Sequence, residues 1–204
     1  MHQALQKLKV SVRPPAVALQ QIGENGPLLS IRPVYPQADL QIFYQWMEDP
    51  DLRVNWGLKE NKHRLETHYS LFLETEDRQS FLVEKSDLAL FQFDIFLIHF
   101  HELCYRIPTG TGDCIMNFLI LLREDTREDL KKAISLQLDY FFSYPGCKRL
   151  WTPVPEEEEE LKSIFSAAGF TYRISYTAKQ QRFALFYQRR SDYMERKYGT
   201  LTIL

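Results

Sequence analysis

Between a Pro/Gly/Thr loop (Tyr105 to Gly112) and a charged segment (Arg123 to Lys131) lies Asp113 to Leu122, a nearly continuous apolar run of strand length. An alternating pattern would leave one face of a strand to water. A continuous one needs cover on both faces, so this segment reads as a central strand. The chain after it supplies cover. Thr126 to Ser143 carries Leu130, Ile134, Leu138 and Phe141 on one helical face and stops at Pro145-Gly146. A brief strand follows at Arg149 to Thr152, then a helix from Glu156 to Ala168, with Gly169 as a glycine cap that accepts the left-handed conformation cheaply.

The flanking regions extend the same alternation. Ile31 to Leu40 reads as a short strand, a turn at Pro36 and the start of a helix that buries Leu40, Phe43, Tyr44 and Met47 and ends at Pro50. Lys59 to Asp77 has Leu65, Tyr69, Phe72 and Leu73 at helical spacing. Ser80 to Lys85 and Asp87 to Phe96 read as a hairpin turning at Ser86, and Thr171 to Thr177 with Arg182 to Gln188 as a second hairpin around Lys179-Gln180. The order βααβββαβαββ describes an α/β fold: one domain over residues 29–195, a mixed sheet with helices on both faces. Residues 1–28, rich in Pro14, Pro15, Gly23, Gly26 and Pro27, read as an N-terminal extension that can lie on the surface or on a partner, and 196–204 as a C-terminal tail.

Charge and composition exclude several classes. A net charge of -2 over 204 residues offers no basic field for a phosphate backbone, so nucleic acid is not an expected partner. The most apolar stretch, Leu88 to Phe100, is interrupted by Gln92, Asp94 and His99 and is shorter than the roughly 20 apolar residues of a membrane span. It belongs in a sheet. The first 19 residues carry Lys7, Lys9 and Arg13 without an apolar core, unlike a signal peptide, and three cysteines without a CxxC pair suit reduced thiols; both point to the cytoplasm.

The run Trp46-Met-Glu-Asp-Pro-Asp-Leu-Arg-Val-Asn-Trp56-Gly-Leu58, after its strand and helix, resembles the acetyltransferases of hydroxamate siderophore synthesis, a branch of the GNAT acyl-CoA N-acyltransferase superfamily. The similarity extends to Phe93-Asp-Ile-Phe96, Gly112 to Ile120 and Ala167-Ala-Gly-Phe170. It implies a GNAT-like fold, acetyl-CoA or another acyl-CoA as donor, and a small-molecule amine or hydroxylamine as acceptor. In such proteins a glycine-rich turn between the central strand and the next helix holds the pyrophosphate through backbone N–H groups. Here that segment has no glycine: Arg127, Asp129 and Lys131 stand where glycines are usual, and Glu124, Asp125, Glu128 and Asp129 crowd the helix start. The resemblance assigns Leu121, Arg123, Arg127 and Lys131 to the cofactor.

The same resemblance places a histidine of the family's Gly-Ile-His segment at Asn117, and asparagine is no base at neutral pH. The family's acidic and asparagine positions before the last helix fall on Thr152-Pro-Val-Pro155 and Glu158, the latter in a glutamate run that reads as a solvated helix start. A substitute base is sought in His99 and His101, which would alternate on one face of a strand near Glu102 and Cys104; a metal site there lacks further ligands at suitable spacing. Trp56, with Arg53 and Asn55, is a candidate lining of the acceptor pocket, whereas Trp46 reads as a core anchor and Cys114 as a core thiol. Two functions remain open. One is an acyl-CoA N-acyltransferase using Asn117 with His99 or His101; the other is a catalytically degenerate relative that binds a ligand, a protein partner or a second copy of itself.

Overall fold

The computed structural model describes residues 19–21, 29–48, 65–70, 75, 77–86, 88–120, 126–178 and 180–199. The first part of the chain forms β1 (Leu19–Gln21), β2 (Leu29–Pro33), α1 (Pro36–Glu48), a helical stretch α2 at residues 65–70, β3 (Arg78–Lys85) and β4 (Leu88–Leu97). Two 3-10 turns, Ile98–Phe100 and Glu102–Tyr105, lead to β5 (Asp113–Ile120) and α3 (Arg127–Ser143). The chain continues through β6 (Arg149–Pro155), α4 (Glu159–Ala167), β7 (Thr171–Ala178), β8 (Gln181–Arg189) and α5 (Arg190–Tyr198). All eight strands join one sheet in the order β1-β2-β3-β4-β5-β6-β8-β7, antiparallel at every step except β5–β6. The expected mixed sheet with helices on both faces is present, and β5 is its central strand.

Strand alternation sorts the side chains between two layers. On one face Phe81, Phe93, Met116 and Phe118 meet Leu130, Ile134, Leu138 and Phe141 of α3 and Leu161, Ile164 and Phe165 of α4. Phe81 and Phe93 stack at 5.1 Å between centroids, and Phe141 meets both edge-on at 5.9 Å. Each such ring, fully buried, contributes roughly 1.5–3 kcal/mol by leaving water. The opposite face carries two separate clusters. Phe43 of α1 and Leu65 and Tyr69 of α2 cover Val34 and Leu82, while Ile98, Leu103 and Ile107 of the turn region pack on Ile115, Trp151 and Leu185. Between them runs a strip of sheet whose outward residues are polar.

Several expectations are corrected. β6 is longer than four residues, running on through two prolines to Pro155. Glu158 is the residue before α4 and only 9% exposed, so the glutamate run is not solvated throughout. His99 and His101 do not lie on a strand: the chain turns at Leu97, with Ile98 and His101 carbonyls accepting from the His101 and Cys104 N–H groups at 2.9 and 3.0 Å. The helix α5 was not anticipated. It buries Tyr193 alone, so no apolar stripe announces it. Instead Tyr193 Oη donates to Asp139 at 2.6 Å, Arg190 Nε to the Phe142 carbonyl at 2.8 Å, and Arg196 Nη2 to the Ala168 carbonyl at 2.6 Å. Arg196 lies against Gly169, whose φ of +91° favours glycine; a Cβ there would also push the guanidinium aside from the Ala168 carbonyl.

Candidate active site

β5 and β6 are hydrogen-bonded neighbours for three residue pairs only, Asp113↔Arg149, Cys114↔Leu150 and Ile115↔Trp151. Past them each strand stays paired on its outer side, β5 with β4 as far as Ile120 and β6 with β8 as far as Pro155, while their inner edges part. The sequence explains why. The Arg149 N–H reaches the Gly112 carbonyl on the β5 side at 3.4 Å, whereas the Glu156 N–H goes to Arg182 on the β8 side at 2.9 Å. By parity, positions 153 and 155 turn their nitrogens toward β5, and both are proline. Neither has a hydrogen to give, so the parallel ladder ends at Trp151. What is left is a V-shaped opening with the main-chain groups of β5 along one wall.

Asn117 sits two residues past the last β5–β6 pair, half-buried, and its Oδ1 is buried without a hydrogen-bond partner. Thr152 Oγ1, just past the last pair on β6, is in the same condition. A buried oxygen left unpaired costs about 1–3 kcal/mol; Thr152 is fully buried on the α3 and α4 face, whereas half-buried Asn117, on the other face, leaves its Oδ1 open to a ligand's donor. Directly across from Asn117 in the β4 register is Asp94, 3% exposed. Ser80 Oγ and Gln92 Nε2 both donate to Asp94 Oδ1 at 2.5 Å, and His68 Nε2 of α2 stands 3.3 Å from Asp94 Oδ2. Asp94 also helps to hold the buried Tyr69 hydroxyl protonated: burial, above all, lifts that group well above the ordinary tyrosine range, with Asp94 and Asp39 adding to it.

The expected site residues are distributed unevenly around this centre. Asn117 is in it. His101 caps the second 3-10 turn, its Nδ1 accepting from the Leu103 N–H at 3.2 Å, and its ring lies 6.0 Å from that of Phe96; His99 is exposed in the first turn. Among the described residues no three metal-ligating side chains converge. Arg53, Asn55 and Trp56, and likewise Leu121 and Arg123, lie outside the described residues. His68, Asp94, Ser80 and Gln92 were missed as site residues. The signal available was the polar interruption of an apolar strand at Gln92 and Asp94.

The start of α3 is less hostile to an anion than its sequence implies. Asp129 accepts from Lys85 Nζ at 2.6 Å, Glu128 from Lys131 Nζ at 2.6 Å, and Arg127 pairs with Glu160 of α4. The Lys131 contact also draws the exposed Glu128 carboxyl below its usual range. The described part of this helix start is therefore balanced in charge, though the room that glycines would leave is taken by side chains. Lys131 further lines a cleft of about 390 Å³ on the outer surface of α3, α4 and α5, opposite the polar strip, with Leu138, Ile164 and Tyr193 in its walls. No helix among the described residues is long and apolar enough to cross a membrane.

This architecture has solved relatives. An uncharacterised protein from Bacillus halodurans superposes with a TM-score of 0.75 at 15% identity, covering 89% of this chain and 94% of that one. An aminoglycoside acetyltransferase in complex with coenzyme A gives 0.69 at 15% identity, covering 82% and 98%, and a mutant spermidine/spermine N-acetyltransferase from Vibrio cholerae gives 0.63 at 16%, covering 83% and 98%. Such identities carry the fold and nothing finer. No curated protein matches the sequence. Residues 35–178, however, match the family model of the acetyltransferase (GNAT) domain, a span that contains the opening between β5 and β6 and the polar strip beside it, and the chain belongs to that family.

Proposed function

We propose that this protein is an acyl-CoA-dependent N-acyltransferase that takes an acyl group from acetyl-CoA or another acyl-CoA and delivers it to a small amine. The observation that carries this reading is the opening between β5 and β6, kept open by Pro153 and Pro155 and rimmed by the partnerless Asn117 Oδ1. An acyl donor with an amide-bearing chain can lie along the free edge of β5 as a short extra strand, giving its N–H groups to β5 carbonyls and to Asn117. Arg127, Lys131 and Lys132 at the start of α3 are described cations near its phosphates, the first two reaching them by exchanging their Glu160 and Glu128 partners. The amine then enters from the α1–α2 side over the polar strip. Solved relatives named for spermidine and aminoglycoside acetylation support an amine acceptor in general terms. The Trp46 to Leu58 motif narrows this to a hydroxylated amine of the siderophore type.

Titration calorimetry with acetyl-CoA tests the donor site, and thiol release with spermidine, kanamycin and an N-alkylhydroxylamine tests the acceptor. Binding in the micromolar range, about −8 kcal/mol, with turnover on one of these amines is the expected result. Asn117→Ala should weaken acetyl-CoA by about three- to tenfold, the value of one hydrogen bond. The absence of heat at millimolar acetyl-CoA would favour the second reading, a binding module without turnover. The Lys85–Asp129 and Arg127–Glu160 pairs at positions near the usual phosphate turn are the observation on its side.

A further inference from the structure

We propose that His68, held by Asp94, is the base that takes the proton from the attacking amine, replacing the histidine that the central strand lacks at Asn117. The inference rests on the acyltransferase reading above. An alkylamine at neutral pH arrives as an ammonium and has no lone pair until a base removes one proton, whereas a hydroxylamine arrives largely neutral and gives up its proton as the amide forms; either way a base near the nitrogen serves. His99 and His101 belong to the turns beyond β4, and Asn117 cannot serve. Asp94 is the cross-strand partner of Asn117, so the Asp94–His68 pair stands on the polar strip, one strand in from the opening.

The geometry assigns the two members different work. Asp94 is nearly sealed from solvent, and one of its oxygens is fixed by Ser80 and Gln92. Its other oxygen faces His68 Nε2 at 3.3 Å, and a carboxylate can only accept, so the ring hydrogen belongs on Nε2 and the basic lone pair on Nδ1. The His68 side chain is 28% exposed, open enough for a substrate to reach, while Asp94 is 4% exposed and is not. Among the ring's neighbours are Asp94 from β4 and the Tyr69 ring, edge-on at 5.3 Å, from α2 itself. Asp94 is thus a positioning residue: it sets the tautomer and holds the ring in place.

The step balances as follows. The ammonium gives one proton to His68, and the freed nitrogen lone pair attacks the thioester carbonyl carbon, forming the C–N bond. The C–S bond breaks with its electron pair going to sulfur, and the second proton lost by nitrogen goes to the thiolate. His68 returns its proton to solvent, so one proton is released per amide formed.

The test uses the full chain, with acetyl-CoA as donor and whichever of spermidine, kanamycin or N-alkylhydroxylamine the wild type acylates fastest. His68→Gln should lower kcat by about 10²- to 10³-fold, as removal of a general base does. Acetyl-CoA affinity should change by less than about twofold, since the base does not touch the donor. The acid limb of the wild-type pH profile of kcat/KM should vanish in H68Q. Asp94→Asn should lower kcat and displace that limb, and Asp94→Glu should restore part of the rate. If H68Q keeps the wild-type kcat and acid limb, the assignment is wrong while the acyltransferase reading stands. If the wild type neither binds acetyl-CoA nor acylates any of the three amines, both fall. A measurement independent of turnover is the ring tautomer of wild-type His68 by nitrogen NMR: Nε2–H is expected, and Nδ1–H would overturn the proposal even if the variants fail to fold.

Discussion

At Cys114 and Ile115 β5 has a paired strand on each side, and the carboxylate of Asp113 just before them is satisfied: Asp113 Oδ2 accepts from the Gly110 N–H at 3.1 Å and from Trp151 Nε1 at 3.3 Å, while Arg149 lies 3.4 Å from Oδ1 and over the indole ring. From Met116 onward the same strand has β4 on one side and the opening on the other, with Asn117 Oδ1 unpaired. Few residues separate the two conditions. The closed end is built as stability, with the Asp113 carboxylate held from three sides and a tryptophan in the core; the open end leaves Asn117 Oδ1 for a ligand to satisfy.

Breaking the closed end should have the largest effect. Trp151→Ala removes a fully buried indole that packs against Tyr187 at 5.1 Å and leaves a cavity beside Ile115, so unfolding by denaturant should show a loss of about 3–5 kcal/mol. A loss under about 1 kcal/mol would mean that the closed end is not the anchor described. The contrast is sharpened by giving β6 back its donors. With Pro153→Val and Pro155→Val together, the new N–H groups facing β5 should be protected in hydrogen exchange, and acetyl-CoA affinity should fall at least about tenfold, equivalent to about 1.4 kcal/mol. Rapid exchange at both positions would show that side chains, not missing donors, hold the strands apart. The smallest effect belongs to Thr152→Val at the open end. Replacing an unpartnered buried hydroxyl by a methyl of equal shape should leave stability within about 0.5 kcal/mol of wild type or above it.

The same contrast sets what could be read from the sequence. The sheet was legible because burial writes itself into periodicity: β5 as a nearly continuous apolar run, α3 as a stripe of Leu130, Ile134, Leu138 and Phe141, all four of the stripe buried as expected. The left-handed cap at Gly169 and the hairpin turn before Gln181 were equally plain, although the positive φ of Gln180 was not. The site was legible only in part. Asn117 is singled out by the family resemblance, whereas Asp94 and Gln92 read as polar interruptions that argue against a membrane span, because nothing local says that they will meet a serine from the neighbouring strand. His68 lies one residue from Tyr69 in a stretch read for its apolar face, and its partner is 26 positions away. Pro153 and Pro155 were on view, yet their meaning depends on which way their nitrogens point, and that requires the register. The helix α5 was hidden because it is held by Asp139, Phe142 and Ala168 through polar contacts, which have no period.

The short seam between β5 and β6 also has a mechanical side. Ladders of seven residue pairs bind β4 to β5 and β6 to β8, while three pairs join β5 to β6. The sheet is in effect two stiff plates riveted at one corner, with the exposed Arg127–Glu160 pair as a light tie between the helices that follow the two strands. From Ile115 to Ile120 is a lever of about 17 Å, so turning one plate by ~10° about the rivets moves the far edges by ~3 Å, nearly the thickness of an alkyl chain. Tightness of grip on whatever lies in the opening is then set by the torsional stiffness of three residue pairs, far from where the ligand is touched.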